Sequence, residues 1–268
     1  MLDDTLGYAF DDGSRLARVH SAVQGGRELT PFLAGHGLLF PGGHCSTVGI
    51  GGFVLQGGQG WNGRVWGWGC ENVMAIDVVT AAGELVHASE HENADLLWAA
   101  RGAGPGYFGA VVTFYLRVHP RPAVFVQSTF VLPTDTFDDL MTWAHSILPV
   151  IERACEPVIV GVNTPGPAII VHATALCASA EEAERVMAPL LTCPVLDRAM
   201  MVEHCLPNTF DAEGIQQDIA NPIHARYHSD CLWTDASATD LLPRLKALMT
   251  DLPTSPRSPA AFTWETRT

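Results

Sequence analysis

Two textures of apolar and polar positions meet near Pro120-Arg121-Pro122, where proline disfavours both a helix and a central strand. Upstream, residues 16–23 alternate as a strand, and Leu29, Phe32 and Leu33 share one face of a helix predicted over 26–36, with Gly37 as its C′ residue. A continuous apolar strand is predicted over 73–80; Ala81-Ala82-Gly83-Glu84 turns it back into a hairpin partner over 85–88. Asn93 is placed to cap a short helix carrying Leu96, Leu97, Ala99 and Ala100, with Asp95 in the first turn where the helix dipole favours it. Residues 108–118 form the last long strand of this half.

Downstream, 124–132 alternates, and Phe137, Leu140, Met141, Ala144, Ile147, Leu148 and Ile151 follow helical spacing. Strands near 158–162 and 168–175 and an amphipathic helix over 179–191 come next. A strand over 226–232, a helix over 237–249 and an apolar strand over 260–264 complete the chain, the last expected to leave an unpaired sheet edge. Strand-helix-strand-strand-helix order predicts an antiparallel sheet with helices on one face, an α+β layer. The expected division is 1–120 and 121–268.

Between the upstream elements lies Pro41-Gly42-Gly43-His44-Cys45-Ser46-Thr47-Val48-Gly49-Ile50-Gly51-Gly52, followed by Gly57-Gly58-Gln59-Gly60-Trp61; eight of these seventeen residues are glycine. Glycine is tolerated where φ is positive or where the backbone approaches something closely. The run therefore reads either as structural turns or as a cofactor cradle of backbone N–H groups. A P-loop is excluded because no lysine precedes Lys246. A dinucleotide fingerprint is excluded because Gly49-Ile50-Gly51 is followed by Val54 where the third glycine belongs. Cys45 is the reactive side chain of the run, and packing gives no reason for it there.

Six blocks in order over roughly residues 17–122 resemble the berberine-bridge-enzyme-like flavin oxidases, relatives of vanillyl-alcohol oxidase and p-cresol methylhydroxylase. They are the Cys45 block through Gly52, Gly57-Gly58-Gln59-Gly60-Trp61, Gly69-Cys70-Glu71-Asn72-Val73, the 77–86 hairpin, Asn93 through Gly104, and Phe108-Gly109-Ala110-Val111-Val112. The resemblance implies the C-terminal part of a p-cresol methylhydroxylase-type FAD-binding domain over 1–120 and part of a substrate-binding domain over 121–268. It implies FAD held by Gly43, Cys45, Thr47, Val48, Gly49, Gly51, Gly52, Gly57, Gly58, Gly60, Asn72, Phe108, Gly109 and Val111, with a covalent thioether available through Cys45. Tyr227 would be a substrate contact or acid/base group. The reaction implied is hydride transfer from an alcohol- or amine-bearing carbon of a small molecule to the flavin, with O2 as reoxidant. Relative to that family both ends look cut, so the alternative is a catalytically incomplete fragment or interaction module that binds FAD weakly. A nucleotide-sugar reductase of the same fold group is a third reading, disfavoured by Cys45.

Charge narrows the partners. With 15 Lys+Arg against 29 Asp+Glu, a net −14, the chain lacks the basic face that nucleic acid or an anionic membrane requires. No apolar run approaches about 18 residues, and the acidic start is unlike a secretory signal, so a soluble protein is expected. Seven scattered cysteines without a Cys-x-x-Cys pair fit reduced thiols in a cytoplasm. His87 and His91 have metal-like spacing but lack a third ligand, and no metal site is expected.

Overall fold

Four antiparallel strands in the order β1-β5-β3-β4 carry the first half: β1 (Leu16–His20), β3 (Val73–Val79), β4 (Leu85–Ser89) and β5 (Ala110–Arg117). The computed structural model describes residues 15–163, 166–220, 236–251 and 261–264. The chain forms two compact units, Met1–Arg121 with Phe210–Ala225, and Pro122–Thr209 with Arg226–Thr268.

In the first unit, a π-helical turn at Gly25–Leu29 runs into α1 (Thr30–Gly35), and Gly37 follows at φ 68° in the left-handed conformation of a helix stop. Two short strands, β2 (Leu38–Leu39) and β6 (His119–Pro120), pair beside it. Short helices α2 (Ile50–Leu55) and α3 (Gly63–Trp66) hold the two glycine loops, and α4 (Ala94–Ala100) follows the β3–β4 hairpin. Leu33, Phe40, Ile50, Val54, Ile76, Leu97, Phe114 and Leu116 make one buried cluster.

Two local readings differ. β1 stops at His20 because Ser21 leaves the ladder: its hydroxyl donates to the Val111 carbonyl, and its carbonyl accepts from Gly51 N–H at 2.9 Å. Asn93 stands at the N-cap position of α4, but its side chain makes no capping bond. It sits at φ 48°, a left-handed conformation that asparagine tolerates, and its amide donates to the His87 carbonyl at 2.7 Å. His87 itself lies 2.7 Å from an Asp77 carboxylate oxygen.

In the second unit the strand order is β10-β7-β9-β8-β11, all antiparallel, from β7 (Val124–Leu132), β8 (Cys155–Val162), β9 (Ala168–Cys177), β10 (Met201–Pro207) and β11 (Ala261–Trp264). Helices α5 (Phe137–Ile147) and α6 (Ala180–Met187) cover one face, where Phe130, Leu132, Leu140, Met141, Ile169 and Val186 are buried together. Ser179 caps α6 by accepting from Glu182 N–H at 3.2 Å. The end of the helix predicted over 179–191 tightens into a 3-10 turn at Ala188–Thr192, where Pro189 removes a helical donor. α8 (Ala238–Asp251) packs Leu242, Leu245 and Met249 against this core.

The apolar strand near the end pairs with β8, Ala261 opposite Val162. β10 was not predicted, because Glu203 and His204 interrupt its apolar positions. Its register against β7 shifts between Glu203 and Leu206, with Cys205 at φ 50° inside the bulge. The strand expected over 226–232, with Tyr227, lies outside the described residues.

Candidate cofactor site on the glycine loops

Residues 41–49 cross the first unit as an irregular loop anchored at both ends. Gly25 N–H donates to the Val48 carbonyl at 2.9 Å, and the N–H groups of Gly26 and Arg27 converge on the Ser46 carbonyl at 3.2 and 3.0 Å. Ile50 N–H then reaches the Val23 carbonyl at 2.8 Å, which fixes the start of α2. Among the described residues, the N–H groups of Cys45, Ser46 and Thr47 have no acceptor. Three successive unpaired amides beside a half-buried thiol form a cradle in which an electron-rich ligand edge can be bound. Burial pushes the Cys45 thiol above its ordinary value, and the Asp218 carboxylate adds to the rise.

The glycines divide by what a side chain would meet. At Gly60 a Cβ would lie 2.3 Å from the Gly42 carbonyl oxygen and 2.5 Å from that of Pro41. Gly51 is closed by Ser21, Gly109 by the Val78 side chain at 2.5 Å, and Gly43 by the Phe53 ring at 3.0 Å. Gly57 (φ 100°) lies against Trp68 and Gly58 (φ 78°) against Phe53, and their carbonyls accept from Cys70 and Gly69 N–H at 2.8 and 2.7 Å. These glycines let two loops and a helix touch each other. At Gly52, on the exposed side of α2, nothing stands within 4 Å; at Gly49 the nearest atom is the Ser21 oxygen at 3.7 Å. Both leave space for close approach from outside.

The predicted residues thus fall into groups. Gly43, Cys45, Thr47 and Val48 share the anchored loop, and Gly49 and Gly52 flank it. Gly51 N–H is already taken by Ser21, whose hydroxyl joins α2 to β5 through Val111. Phe108 is exposed and stacks on Tyr107 at 5.0 Å.

Asn72 is placed differently from a ligand contact. It is 1% exposed, and its Nδ2 donates to the Trp66 and Trp68 carbonyls at 3.0 and 2.9 Å. That fixes Oδ1 toward His119 Nε2 at 2.8 Å, so this nitrogen carries the proton. Trp66 stacks on the same imidazole at 4.5 Å. Asn72 therefore holds the loop together. Burial, reinforced by the Arg117 and Arg15 charges, pushes the His119 imidazole down to about 4. Between the ordinary value of 6.5 and about 4, the unfolded chain binds a proton that the folded one refuses. Stability is expected to fall as pH drops through that window, by about 1 kcal/mol once screening at this half-exposed ring is allowed for. Melting midpoints at pH 7 and pH 5 check this: His119→Gln should flatten the loss.

Sequence reasoning missed α7 (Phe210–Ala220), whose apolar residues form no single stripe. It belongs to the first unit. Asp218 accepts from Ser46 Oγ at 3.2 Å and pairs with Arg27 at 3.3 Å. Phe210 meets Trp61 edge-on at 5.6 Å, and the Arg121 guanidinium lies 5.6 Å over the Phe210 ring. A hollow of about 320 Å³ remains, lined by Arg27, Thr30, His44, Trp61, Phe210 and Asp218 among others. The Arg27–Asp218 pair is half-exposed, so it contributes about 0–1 kcal/mol.

Residues 7–89 match the model of an FAD binding domain. The FAD-linked oxidoreductase janO of Penicillium janthinellum is 36% identical over 259 residues, 96% of this chain and 57% of that protein. Xylooligosaccharide oxidase of Myceliophthora thermophila, solved with xylobiose, superposes with a TM-score of 0.65 at 25% identity, over 83% of this chain and 46% of that one. Glucooligosaccharide oxidase of Acremonium strictum, a 6-S-cysteinyl, 8α-N1-histidyl FAD protein, shares the fold at TM-score 0.66 and 21% identity, over 85% and 47%. The chain spans about half the length of the curated relatives it matches. Among the described residues no helix is long and apolar enough to cross a membrane. The α+β architecture, the FAD-binding-domain match over residues 7–89 and the relatives together show that this chain carries part of an FAD-binding domain, is similar over most of its length to FAD-linked oxidoreductases, and resembles the vanillyl-alcohol-oxidase type in fold.

Proposed function

We propose that this chain carries the cysteine-bearing part of a flavin site in an oxidase of small molecules, with Cys45 as the point of covalent attachment. The observation that supports this most directly is the juxtaposition of the Cys45 thiol with three unpaired amides, next to the open surface at Gly49 and Gly52. FAD, when bound, supplies a hydride acceptor for an alcohol- or amine-bearing carbon and is restored by O2. Gly43, Thr47 and Val48 would border it with backbone, and Cys45 would hold it against loss.

Substrate belongs, in this reading, to the second unit. Opposite its helices the sheet carries a polar face: Glu203, Thr129 and His172 align across β10, β7 and β9, and Gln127, Thr174 and Glu156 across β7, β9 and β8. Thr129 Oγ1 lies 3.0 Å from His172 Nδ1, and Asn208 donates to Gln127 at 2.7 Å. Such a row suits a small polar substrate. Tyr227, proposed as an acid/base or substrate contact, lies outside the described residues.

The expected outcome is a visible flavin spectrum that survives acid precipitation of the purified chain and disappears from the pellet of Cys45→Ala. A wild-type chain that stays colourless after incubation with FAD would sink the proposal in favour of an incomplete, non-binding fragment.

A further inference from the structure

We propose that the hollow beside α7 binds a small organic ammonium, a protonated amine carried on an apolar body. Asp211, Gly214, Ile215 and Asp218 line the hollow from α7. Their spacing is that of one helix face, so the two carboxylates stand two turns, about 10 Å, apart along the axis. Glu213 and Gly214 are buried in the middle turn, and the Gly214 backbone approaches Ser46, so α7 is seated on the loop and the hollow is built into the unit.

The two ends differ in charge. Asp218 is answered within the fold: it pairs with Arg27 at 3.3 Å and accepts from Ser46 Oγ at 3.2 Å. Asp211 is exposed in the first turn, and among the described residues no ion pair neutralises it. Aromatic rings gather at that end. Phe210 precedes Asp211 and meets Trp61 edge-on at 5.6 Å, and Trp61 meets His44 edge-on at 4.2 Å; all three line the hollow. Aromatic faces attract cations, and the molecule already uses Phe210 in that way, with the Arg121 guanidinium 5.6 Å over its ring.

The lining selects among ligand classes. An anion would meet two carboxylates against one guanidinium. A wholly polar ligand would leave Trp61, Phe210 and Ile215 without a partner. An ammonium on an apolar body answers both, and about 320 Å³ lies at the small end of sites for such molecules. His44 and Ser46 are walls of the hollow, but Cys45, Gly49 and Gly52 are not. The inference therefore stands without the flavin reading, and its test uses no flavin.

The test is titration calorimetry of the full chain, without added FAD at pH 7, with 2-phenylethylammonium and with 2-phenylethanol, its neutral counterpart. The ammonium is expected to bind about tenfold more tightly, the margin of a charge-assisted over a neutral hydrogen bond with a cation–π contact added. Asp211→Asn should weaken the ammonium about fivefold and leave the alcohol as it was. Asp240→Asn makes the same charge change at an exposed position of the second unit, and should alter neither. Ile215→Trp enlarges a wall at a position 60% exposed, and should abolish ammonium binding at an unchanged melting midpoint.

Equal affinity for the two probes, or binding of neither, overturns the proposal. So does undiminished ammonium binding in Ile215→Trp, which would put the ligand elsewhere. Equal weakening by Asp211→Asn and Asp240→Asn overturns it as well, because the net charge of −14, and not the hollow, would then be attracting the cation.

Discussion

Phe130→Ala is expected to destabilise the second unit by about 3–5 kcal/mol, the cost of a buried aromatic removed from a core that cannot collapse to fill the gap. Phe130 is 0% exposed at the centre of β7, where strands hold it on both sides, opposite Val171 on β9 and Val202 on β10. α5 and α6 cover the same face with Leu140, Met141 and Val186, all fully buried. The surrounding backbone is a five-stranded ladder, and a ladder does not sag into a hole. Hydrogen exchange read peptide by peptide checks this. Amides of β7 and β9 should lose more than roughly a hundredfold of protection in the variant. Unchanged protection there would mean that the helices move inward to refill the space.

The second large effect lies within the glycine run, where two substitutions of the same kind are expected to have opposite signs. Gly60→Ala forces a methyl group into two backbone carbonyls at 2.3 and 2.5 Å, and backbone cannot rotate away as a side chain can. The contact it breaks also carries the Trp61 N–H bond to the Gly42 carbonyl at 3.0 Å, which ties one glycine loop to the other. A loss of about 3 kcal/mol is expected, at the upper end of overpacking effects. Gly52→Ala meets nothing within 4 Å on the exposed side of α2, and is expected to gain about 0.5–1 kcal/mol from lower unfolded-state entropy and better helix propensity. Denaturant midpoints of the two variants against wild type decide the matter, and a shift in the same direction for both would show that the loop repacks.

That contrast also marks how far the sequence could be read. Alternation located β7 and β9, continuous apolarity located β3, and the turn at Gly83 located its hairpin, because each depends on neighbours a few residues apart. The glycine run was visible too, but not that it holds two populations. Gly51 and Gly60 are there for contacts with Ser21 and Gly42, whereas Gly52 keeps a surface open, and no local pattern separates them. Asn72 read as a cofactor contact by resemblance, yet it binds Trp66, Trp68 and His119. Least legible was α7. Ser46 and Asp218 meet across 172 positions of chain, and a helix with Gly214 in its middle and scattered isoleucines gives no periodic signal.

The bulge at Cys205 bears on what the protein does in a crowded solution. Among the described residues β10 is an outer strand, and Met201, Val202 and Leu206 are 40%, 46% and 42% exposed along it. A straight strand with that composition would invite a second chain to add itself in register. The left-handed residue between Glu203 and Leu206 breaks the spacing of the outward-facing amides and carbonyls, so an incoming strand could match them on one side of the kink but not across it. The same irregularity that hid this strand from a reading of its sequence is thus expected to hinder the addition of a second chain.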